Sequence, residues 1–305
     1  MGLVSVVTPT YNRADRIHRA IESVLAQTHE DWEHLIVDDA STDETRSVVE
    51  SYDDDRIRYF RHETNRRQAA ARNTAIETAE GKYVAFLDSD DEWRPTKLEK
   101  QVAWIENRNE EWVGVYTDGA TLRSSRVKAA LASLFPYEIR KEGSEELIRD
   151  ILTMQGNISA GSSLLARTST VRAIDGFDES LPRHEDLDFT LRLLEKGKLG
   201  YIDEELFVVH ESADPSADVM AESKRQYLAN HADTIDDLEA QGYPVRRYHD
   251  LHLARCFFTD GRFREGFDYL RGARASNPRQ YLRLGAAVVQ GLRKTGLGGT
   301  RGSGT

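Results

Sequence analysis

Cysteine is almost missing from this chain: one residue, Cys256, in 305. An internal disulfide and a thiolate metal cluster are both excluded, so oxygen and nitrogen groups have to carry any chemistry. That usage fits a reducing, cytoplasmic setting. Long apolar runs are missing as well, since no stretch approaches the roughly 20 residues a membrane-spanning helix needs. The opening MGLVSVVTPTYNR enters strand-like sequence with no basic leader and no apolar signal core. The expectation is a chain that is neither integral to a membrane nor secreted. Positive charge is in deficit, with a net charge of −11, which argues against nucleic acid as a partner. Glycine is missing where nucleotide folds use it: the first strand-to-helix turn, TPTYNRA, has none, and no GxxxxGK loop occurs. A bound nucleotide therefore has to be held by its base, its ribose and a metal ion.

What is present is ordinary globular composition, 39% hydrophobic and 30% charged. Its first 120 or so residues alternate strand and helix patterns. LVSVVTP is a β-branched run, and the helix after it puts Ile17, Ala20, Ile21, Val24 and Leu25 on one face. WEHLIVDD is a second strand, and STDE offers a capping box, Ser41 with Glu44, to start a second helix. IRYFRH is a third strand, followed by an alanine-rich helix stopped by Gly81. YVAFL does not alternate and reads as a fourth strand buried on both faces. Pro95 opens a helix carrying Leu98, Val102 and Ile105. Further on come strands at VGVYTDGATL, SAGSSLLAR and LGYIDEELFVVHES, and helices at SEELIRDILTM and from EDLDFTLRLLEKG. Repeated strand–helix units predict an α/β fold with parallel strands and ligands at their carboxyl ends. Pro9 to Asn12, Asp38 to Ser41 and Asp88 to Glu92 all fall at such ends.

The third of these ends, DSDDEW, is the most charged. At about 5 Å and an effective dielectric of about 20, each pair of carboxylates repels by on the order of 3 kcal/mol before screening. A solvated turn would tolerate that. Hard oxygen ligands for Mg²⁺ or Mn²⁺ beside phosphates would exploit it. A calcium-binding EF-hand is excluded, because Trp93 stands where the loop needs glycine and a strand precedes the acids.

VSVVTPTYNR, HLIVDDASTDET, NRRQAAARNTAI, GKYVAFLDSDDEW, GFDESLPRHEDLDFTLRLLEKG and VVHES resemble, in order and spacing, the family 2 glycosyltransferases of the GT-A fold. The likeness covers about residues 3–212. It implies a Rossmann-like mixed sheet flanked by helices, and transfer of a sugar from a nucleotide-diphosphate donor, a UDP-sugar above all, to an acceptor hydroxyl. Carried over by motif, it places uracil and ribose at Pro9, Thr10 and Tyr11, with Arg13 beside them, and the base on Asp39 and Arg72. Asp88 then faces ribose and metal, Asp90 is the direct ligand of Mn²⁺ or Mg²⁺, and Asp91 is a weaker candidate. Asp186, after the substrate-binding Glu185, is the catalytic base, and His210 is a late ligand near the diphosphate. One base without a second nucleophile means a single displacement, which inverts the anomeric carbon. The sequence departs from the family at Arg67, where glycine is commoner.

Taken singly, each motif has a bland reading: Asp38 and Asp39 as helix caps, Arg72 in a surface salt bridge, HEDLD as acids complementing a helix dipole, His210 as a strand histidine. Two other functions compete. A haloacid dehalogenase-like phosphotransferase would use an apolar strand followed by DxDx, but it wants Thr or Val where Glu92 stands and its motif on the first strand. A non-catalytic sugar-binding relative would not need acids at both the donor and base positions.

The expected organisation is a catalytic domain over 1–215, a helical extension over 216–294 and a disordered tail over 295–305. Residues 119–145 and the helical third are where an acceptor, a saccharide or a lipid-linked glycan precursor, is expected to meet the chain. CFFTDGRFREGFDYLRGARASNP has the look of a single tetratricopeptide-type hairpin. From Arg271 onward there are seven Arg or Lys and no Asp or Glu. Within that basic end, Tyr281, Leu282, Gly285, Val288, Val289 and Leu292 share one helical face and Arg279, Arg283, Gln290 and Lys294 another. This pattern suits either a helix lying in an anionic membrane interface at residues 279–294 or an ordinary core-facing helix with solvated arginines. The first reading would put the chain at the inner face of the cell membrane.

Overall fold

The computed structural model describes residues 2–122, 139–156, 158, 160–210 and 215–295. Its elements run β1 (Val4–Thr10), α1 (Ile17–Leu25), β2 (Trp32–Asp38), α2 (Thr45–Glu50), β3 (Ile57–Arg61), α3 (Arg67–Thr78), β4 (Tyr83–Phe86), β5 (Glu92–Trp93), α4 (Lys97–Glu106) and β6 (Trp112–Leu122). Then follow α5 (Glu145–Leu152), α6 (Ala160–Ser163), β7 (Leu165–Arg167), α7 (Thr168–Ala173), α8 (Glu185–Leu194) and β8 (Lys198–His210). The helices α9 (Ala217–Asn230), α10 (Ala232–Ala240), α11 (Val245–Thr259), α12 (Phe263–Leu270) and α13 (Arg279–Lys294) complete the chain. It divides into two units: Met1–Ile148 with Asn157–Ser212, and Arg149–Gly156 with Ala213–Thr305.

The first unit is built on one mixed sheet in the order β3-β2-β1-β4-β7-β6-β8-β5. β1, β2, β3 and β4 pair in parallel, joined by α1, α2 and α3. β7 then runs antiparallel between β4 and β6, while β8 returns parallel to β6. The parallel half follows from unalternating apolar runs: Val4, Val6, Val7, Leu35, Ile36, Val37 and Tyr83 to Leu87 are buried. β1 connects outward to β2 while β3 returns across it to β4. The strand order therefore reverses between β1 and β4, and a crevice opens at their carboxyl ends. The acids at the ends of β2 and β4 face that crevice from either side of β1.

Three local expectations turn out differently. The capping box does not form: α2 starts after Glu44 with no side-chain cap, and the Ser41 hydroxyl accepts from Asn12 N–H at 2.8 Å instead. α3 stops at Ala79 in extended conformation, and Gly81 donates its N–H to Ser5 Oγ at 2.8 Å rather than capping the helix. SAGSSLLAR is not one strand, because Ala160–Ser163 coil into a helical turn before the short β7.

The second unit is helical. Phe258 packs against Phe263 and Phe267, and Phe257 stacks on Tyr269 at 5.4 Å, which locks α11 to α12 as a hairpin. α9 joins through Ala217 and Ala221 on Leu253 and Phe257, and α13 through Ala287 on Ala254 and Phe258. Neighbouring helices on both sides give the tetratricopeptide-like hairpin the burial a lone repeat lacks. Among the described residues, no helix is long and apolar enough to cross a membrane. The glycine-rich end, the sequence between 123 and 138 and the acids after His210 lie outside the described residues.

Candidate active site

The crevice is assembled from its rim inward. At the end of β1, Pro9 and Thr10 are buried while Tyr11 is 44% exposed, an aromatic face open to a base. Thr10 Oγ1 is buried with no hydrogen-bond partner among the described residues, a group that asks for a ligand. Asn12 takes a positive φ of 51° and is tied to the next loop: Thr42 N–H donates to Asn12 Oδ1 at 2.8 Å, and Arg13 N–H to Thr45 Oγ1 at 2.9 Å. Without glycine, the turn is shaped by side chains from residues 41–45.

Asp39, at the end of β2, is buried and its carboxylate takes three hydrogen bonds. His62 Nδ1 and Arg66 N–H reach Oδ1 at 2.8 Å each, and Arg67 N–H reaches Oδ2 at 2.7 Å. One acceptor position on Oδ2 is left. Holding two successive amides puts Arg67 at φ 74°, in the left-handed region a glycine would occupy without cost. The sequence's departure from the family pattern is thus accommodated by Asp39, and the loop keeps its turn.

β4 ends at the acidic cluster. Asp88 Oδ1 accepts from Arg72 at 2.8 Å and from Gln68 Nε2 at 3.0 Å, both from α3. Arg72 is fully buried, lies 4.9 Å from the Phe177 ring, and sends its other terminal nitrogen to Glu185 Oε1 at 3.3 Å. The resemblance set Arg72 beside a base; here it spans from Asp88 to Glu185, the acid next to Asp186. Beneath it, Phe177 stacks on Phe189 at 4.1 Å with Phe86 edge-on to both, an apolar floor. Asp186 sits in the first turn of α8, its Oδ1 accepting from Leu187 N–H at 2.8 Å. Burial pushes the Asp186 carboxyl above the usual carboxylate range, against the pull of Arg72, and burial with Asp186 beside it does the same to Glu185. A carboxylate held up in that way is a better proton acceptor at neutral pH.

Asp91 and His210 meet because β5 pairs with β8. Asp91 Oδ2 accepts from Ser162 Oγ at 2.6 Å and Oδ1 from His210 N–H at 3.2 Å. Burial, with Asp88 nearby, holds the Asp91 carboxyl well above its ordinary range. Ser162 also accepts from Asp88 N–H at 3.2 Å, and its carbonyl takes the Trp93 Nε1 proton at 2.8 Å. His210 Nδ1 accepts from Arg19 at 3.2 Å while Nε2 stands 3.4 Å from Glu92 Oε1 without hydrogen-bond alignment. Asp90 has the loosest partner, Arg13 Nε at 3.9 Å, and burial beside Asp88 raises its pKa.

No three His, Cys, Asp or Glu side chains among the described residues gather as a metal-ligand set. Asp88 and Asp90 nevertheless suit a hard divalent ion, since Mg²⁺ characteristically takes one or two carboxylates and completes its shell with phosphate oxygens and water. Sequence reasoning missed Ser162, Gln68, His62 and Gly161. Only Gly161 left a trace, as a glycine within a run read as strand.

Against this geometry, residues 5–154 match the model of the family described as glycosyl transferase family 2. The Bacillus subtilis "Putative glycosyltransferase EpsE" is 32% identical over 69% of this chain and 74% of its own. The chain belongs to glycosyltransferase family 2. It is 51% identical over 35% of its length to B. subtilis "Putative teichuronic acid biosynthesis glycosyltransferase TuaG". It is 45% identical over 35% of its length to the Escherichia coli "UDP-Glc:alpha-D-GlcNAc-diphosphoundecaprenol beta-1,3-glucosyltransferase WfgD". Those matches span only 43% and 42% of TuaG and WfgD. Among solved structures, S. aureus TarS in complex with UDP superposes with a TM-score of 0.61 at 21% identity, over 96% of this chain and 81% of that one. The mannosyltransferase PcManGT from Pyrobaculum calidifontis, solved with GDP-Man and Mn²⁺, gives 0.56 at 21% identity, over 97% of this chain and 84% of its own. The fold of this family 2 glycosyltransferase is GT-A, and the phosphotransferase alternative falls away with it.

Proposed function

We propose that this glycosyltransferase moves a sugar from a UDP-linked donor, with inversion, to a hydroxyl of a lipid-linked saccharide. The observation that carries the reading is the Arg72 bridge, which joins Asp88 to Glu185 and so fixes the donor acid against the acid beside Asp186. Tyr11 offers its exposed ring to the base, Thr10 Oγ1 its unused polar atom to the nucleoside, and Asp39 its remaining acceptor position to a base N–H. UDP is favoured over other nucleotides by TarS, solved with UDP, and by the UDP-Glc of WfgD's name. PcManGT, with GDP-Man, is the counterexample a donor screen has to address.

Asp88 and Asp90 would hold Mn²⁺ or Mg²⁺, a Lewis acid for the negative charge that develops on the leaving diphosphate. Asp186 takes the proton of the acceptor hydroxyl as its oxygen attacks the anomeric carbon from the face opposite the departing UDP. Arg72 keeps Asp88 and Glu185 apart in register while this happens. His210, committed to Arg19 through Nδ1, positions Asp91 by its backbone N–H, and any part it takes near the diphosphate falls to Nε2. A lipid-linked acceptor, as WfgD's name describes, places the reaction at a bilayer surface; with the single cysteine it favours the cytoplasmic face.

The test is UDP release from a panel of nucleotide sugars with and without Mn²⁺. Metal-dependent release that Asp90→Ala abolishes is expected. Asp186→Asn should still bind UDP yet lose turnover by about 10²-fold or more. A wild type that binds sugar nucleotide but releases nothing under any acceptor would make the chain a non-catalytic relative.

A further inference from the structure

α13 carries two apolar faces, and only one of them is used. Leu284, Ala287 and Val288 pack inward on Ala254, Phe258 and Phe263. Gly291 lets the helix approach so closely that a Cβ there would lie 1.9 Å from the Phe258 carbonyl oxygen. On the opposite side Leu282 is 63% exposed, Val289 50% and Tyr281 58%, with Gly285 and Ala286 between them. The sequence pattern had grouped Val288 with these residues; the packing separates them, because Val288 turns toward the hairpin and Val289 away. Leu282, Ala286 and Val289 follow the i, i+4, i+7 spacing of a continuous stripe, and four residues on, at its end, stands Arg293.

Charge says what this stripe meets. No Asp or Glu occurs from Arg271 to the end of the sequence, against seven Arg or Lys. Lys294 pairs with Asp260 at 3.2 Å and Arg271 with Asp268 at 3.5 Å, both exposed contacts that salt weakens. Among the described residues, no carboxylate stands within ion-pair distance of Arg274 or Arg293. An apolar stripe on a helix without acids, ended by an unpaired arginine, is the make-up of a surface that lies in an anionic lipid interface.

We infer that the exposed face of α13, centred on Leu282 and Val289, is the surface by which this glycosyltransferase docks on an anionic bilayer. The lipid-linked acceptor of the reading above motivates the bilayer as occupant, while the surface is built from the helical unit's own residues. Tyr281, Leu282 and Val289 enter the boundary between headgroups and acyl chains, Arg293 meets anionic headgroups at the end of the stripe, and the exposed Arg274 adds longer-range attraction.

Flotation of the full chain with vesicles tests this. Recovery on vesicles of phosphatidylcholine and phosphatidylglycerol in equal parts should exceed that on pure phosphatidylcholine by about fivefold or more, and fall with added salt. The double variant Leu282→Asp with Val289→Asp should float at background while keeping the wild-type melting temperature, since neither side chain is packed. Arg274→Glu with Arg293→Glu, which leaves the apolar stripe intact, should lose the preference for anionic vesicles. Equal flotation by either variant overturns the inference, as does a wild type that stays at the bottom with both vesicles. So does a wild-type dimer in solution that the Asp variant converts to a monomer without change in flotation, because the face would then belong to a second copy. UDP release with a soluble acceptor needs no vesicle, so a chain that floats but never releases UDP removes the enzymatic reading and leaves the docking surface.

Discussion

A single methyl group placed behind the acidic cluster tests the site better than removal of an acid. Gly161 lies in the α6 turn under Asp88, and a Cβ there would stand 2.6 Å from Asp88 Oδ2 and 3.0 Å from its Cγ and Oδ1. The residue has no positive φ, so alanine itself is unstrained. In a helical turn it is favoured over glycine by up to about 1 kcal/mol. The clash has to be relieved by the Asp88 carboxylate, because Ser162, next to Gly161, is pinned through its hydroxyl to Asp91 and through its carbonyl to Trp93. A shift of roughly 0.5–1 Å lengthens the charge-assisted bond to Arg72, a contact worth about 1.5–3 kcal/mol.

After the gain in helix propensity, Gly161→Ala should cost about 1–2 kcal/mol. For a unit of this size that lowers the melting temperature by about 2–8 °C. Activity should suffer far more, by about 10²-fold, because a 1 Å misplacement of a group that positions substrate costs that much. The assay is UDP release titrated with Mn²⁺, read beside a thermal melt. Half-saturation by the metal should rise in Gly161→Ala. Placed on top of Asp88→Ala, which removes the obstructed carboxylate, the same methyl should cost little further activity. Wild-type metal dependence with kcat/KM within about twofold of normal would refute the reasoning, since Asp88 would then not act from the place the structure gives it.

Arg72→Met should destabilise the first unit by about 3–5 kcal/mol, because it leaves the buried Glu185 without its counter-charge and Asp88 with Gln68 alone; a urea midpoint close to wild type would contradict that. Ser162→Ala leaves the Asp91 carboxylate with His210 N–H as its remaining hydrogen bond and should cost about 1–3 kcal/mol in the same measurement. Acid should unfold the chain through buried neutral histidines. His34, wholly buried, has its pKa pushed down to about 3 by burial. The unfolded chain therefore takes up a proton the folded one refuses, so the stability is fully present above the unfolded value of 6.5 and is lost as pH falls toward 3, by about 1.4 kcal/mol per unit. His249 in the helical unit behaves in the same direction. Urea unfolding at pH 7, 6 and 5 reads the slope, and His34→Gln should flatten it; an unchanged slope would show that His34 does not govern it.

The parallel half of the sheet was legible because hydrophobic runs such as YVAFL have one stable use, burial between helices. The acids at the strand ends were legible because they follow those runs directly. What could not be read is whatever depends on chain segments distant in sequence. Ser162 reaches Asp91 and Asp88 across more than 70 residues, and no local pattern marks it. Arg72 was picked out by its motif, but its helix alone suggested a solvated or salt-bridged arginine, since its neighbours Ala69, Ala70, Ala71 and Ala75 are too small to announce that α3 is buried around it. The face of α13 was half legible: periodicity found the apolar residues, but a helix with apolar positions on both sides does not say which side packs.

The sequence's unrelieved negative charge at Asp88 to Glu92 resolves into separate pairings, and their inequality argues which acid most wants a cation. Asp88 has the buried Arg72 at 2.8 Å and Gln68 at 3.0 Å. Asp91 has the Ser162 hydroxyl at 2.6 Å and the His210 backbone N–H at 3.2 Å, neither of which carries a counter-charge. Glu92 is half exposed and lies beside His210. Asp90 alone among them depends on a contact of 3.9 Å to an arginine that is itself 36% exposed. An exposed pair of that kind is worth at most about 1 kcal/mol, less than the roughly 3 kcal/mol by which a neighbouring carboxylate at about 5 Å repels it. Asp90 is therefore the acid of the segment whose side chain is held most loosely, by one distant, partly exposed arginine. A divalent ion that displaced Arg13 would relieve more repulsion at Asp90 than at Asp91, so Asp90→Asn should cost more metal affinity than Asp91→Asn, whose carboxyl is already held by the Ser162 hydroxyl and the His210 N–H.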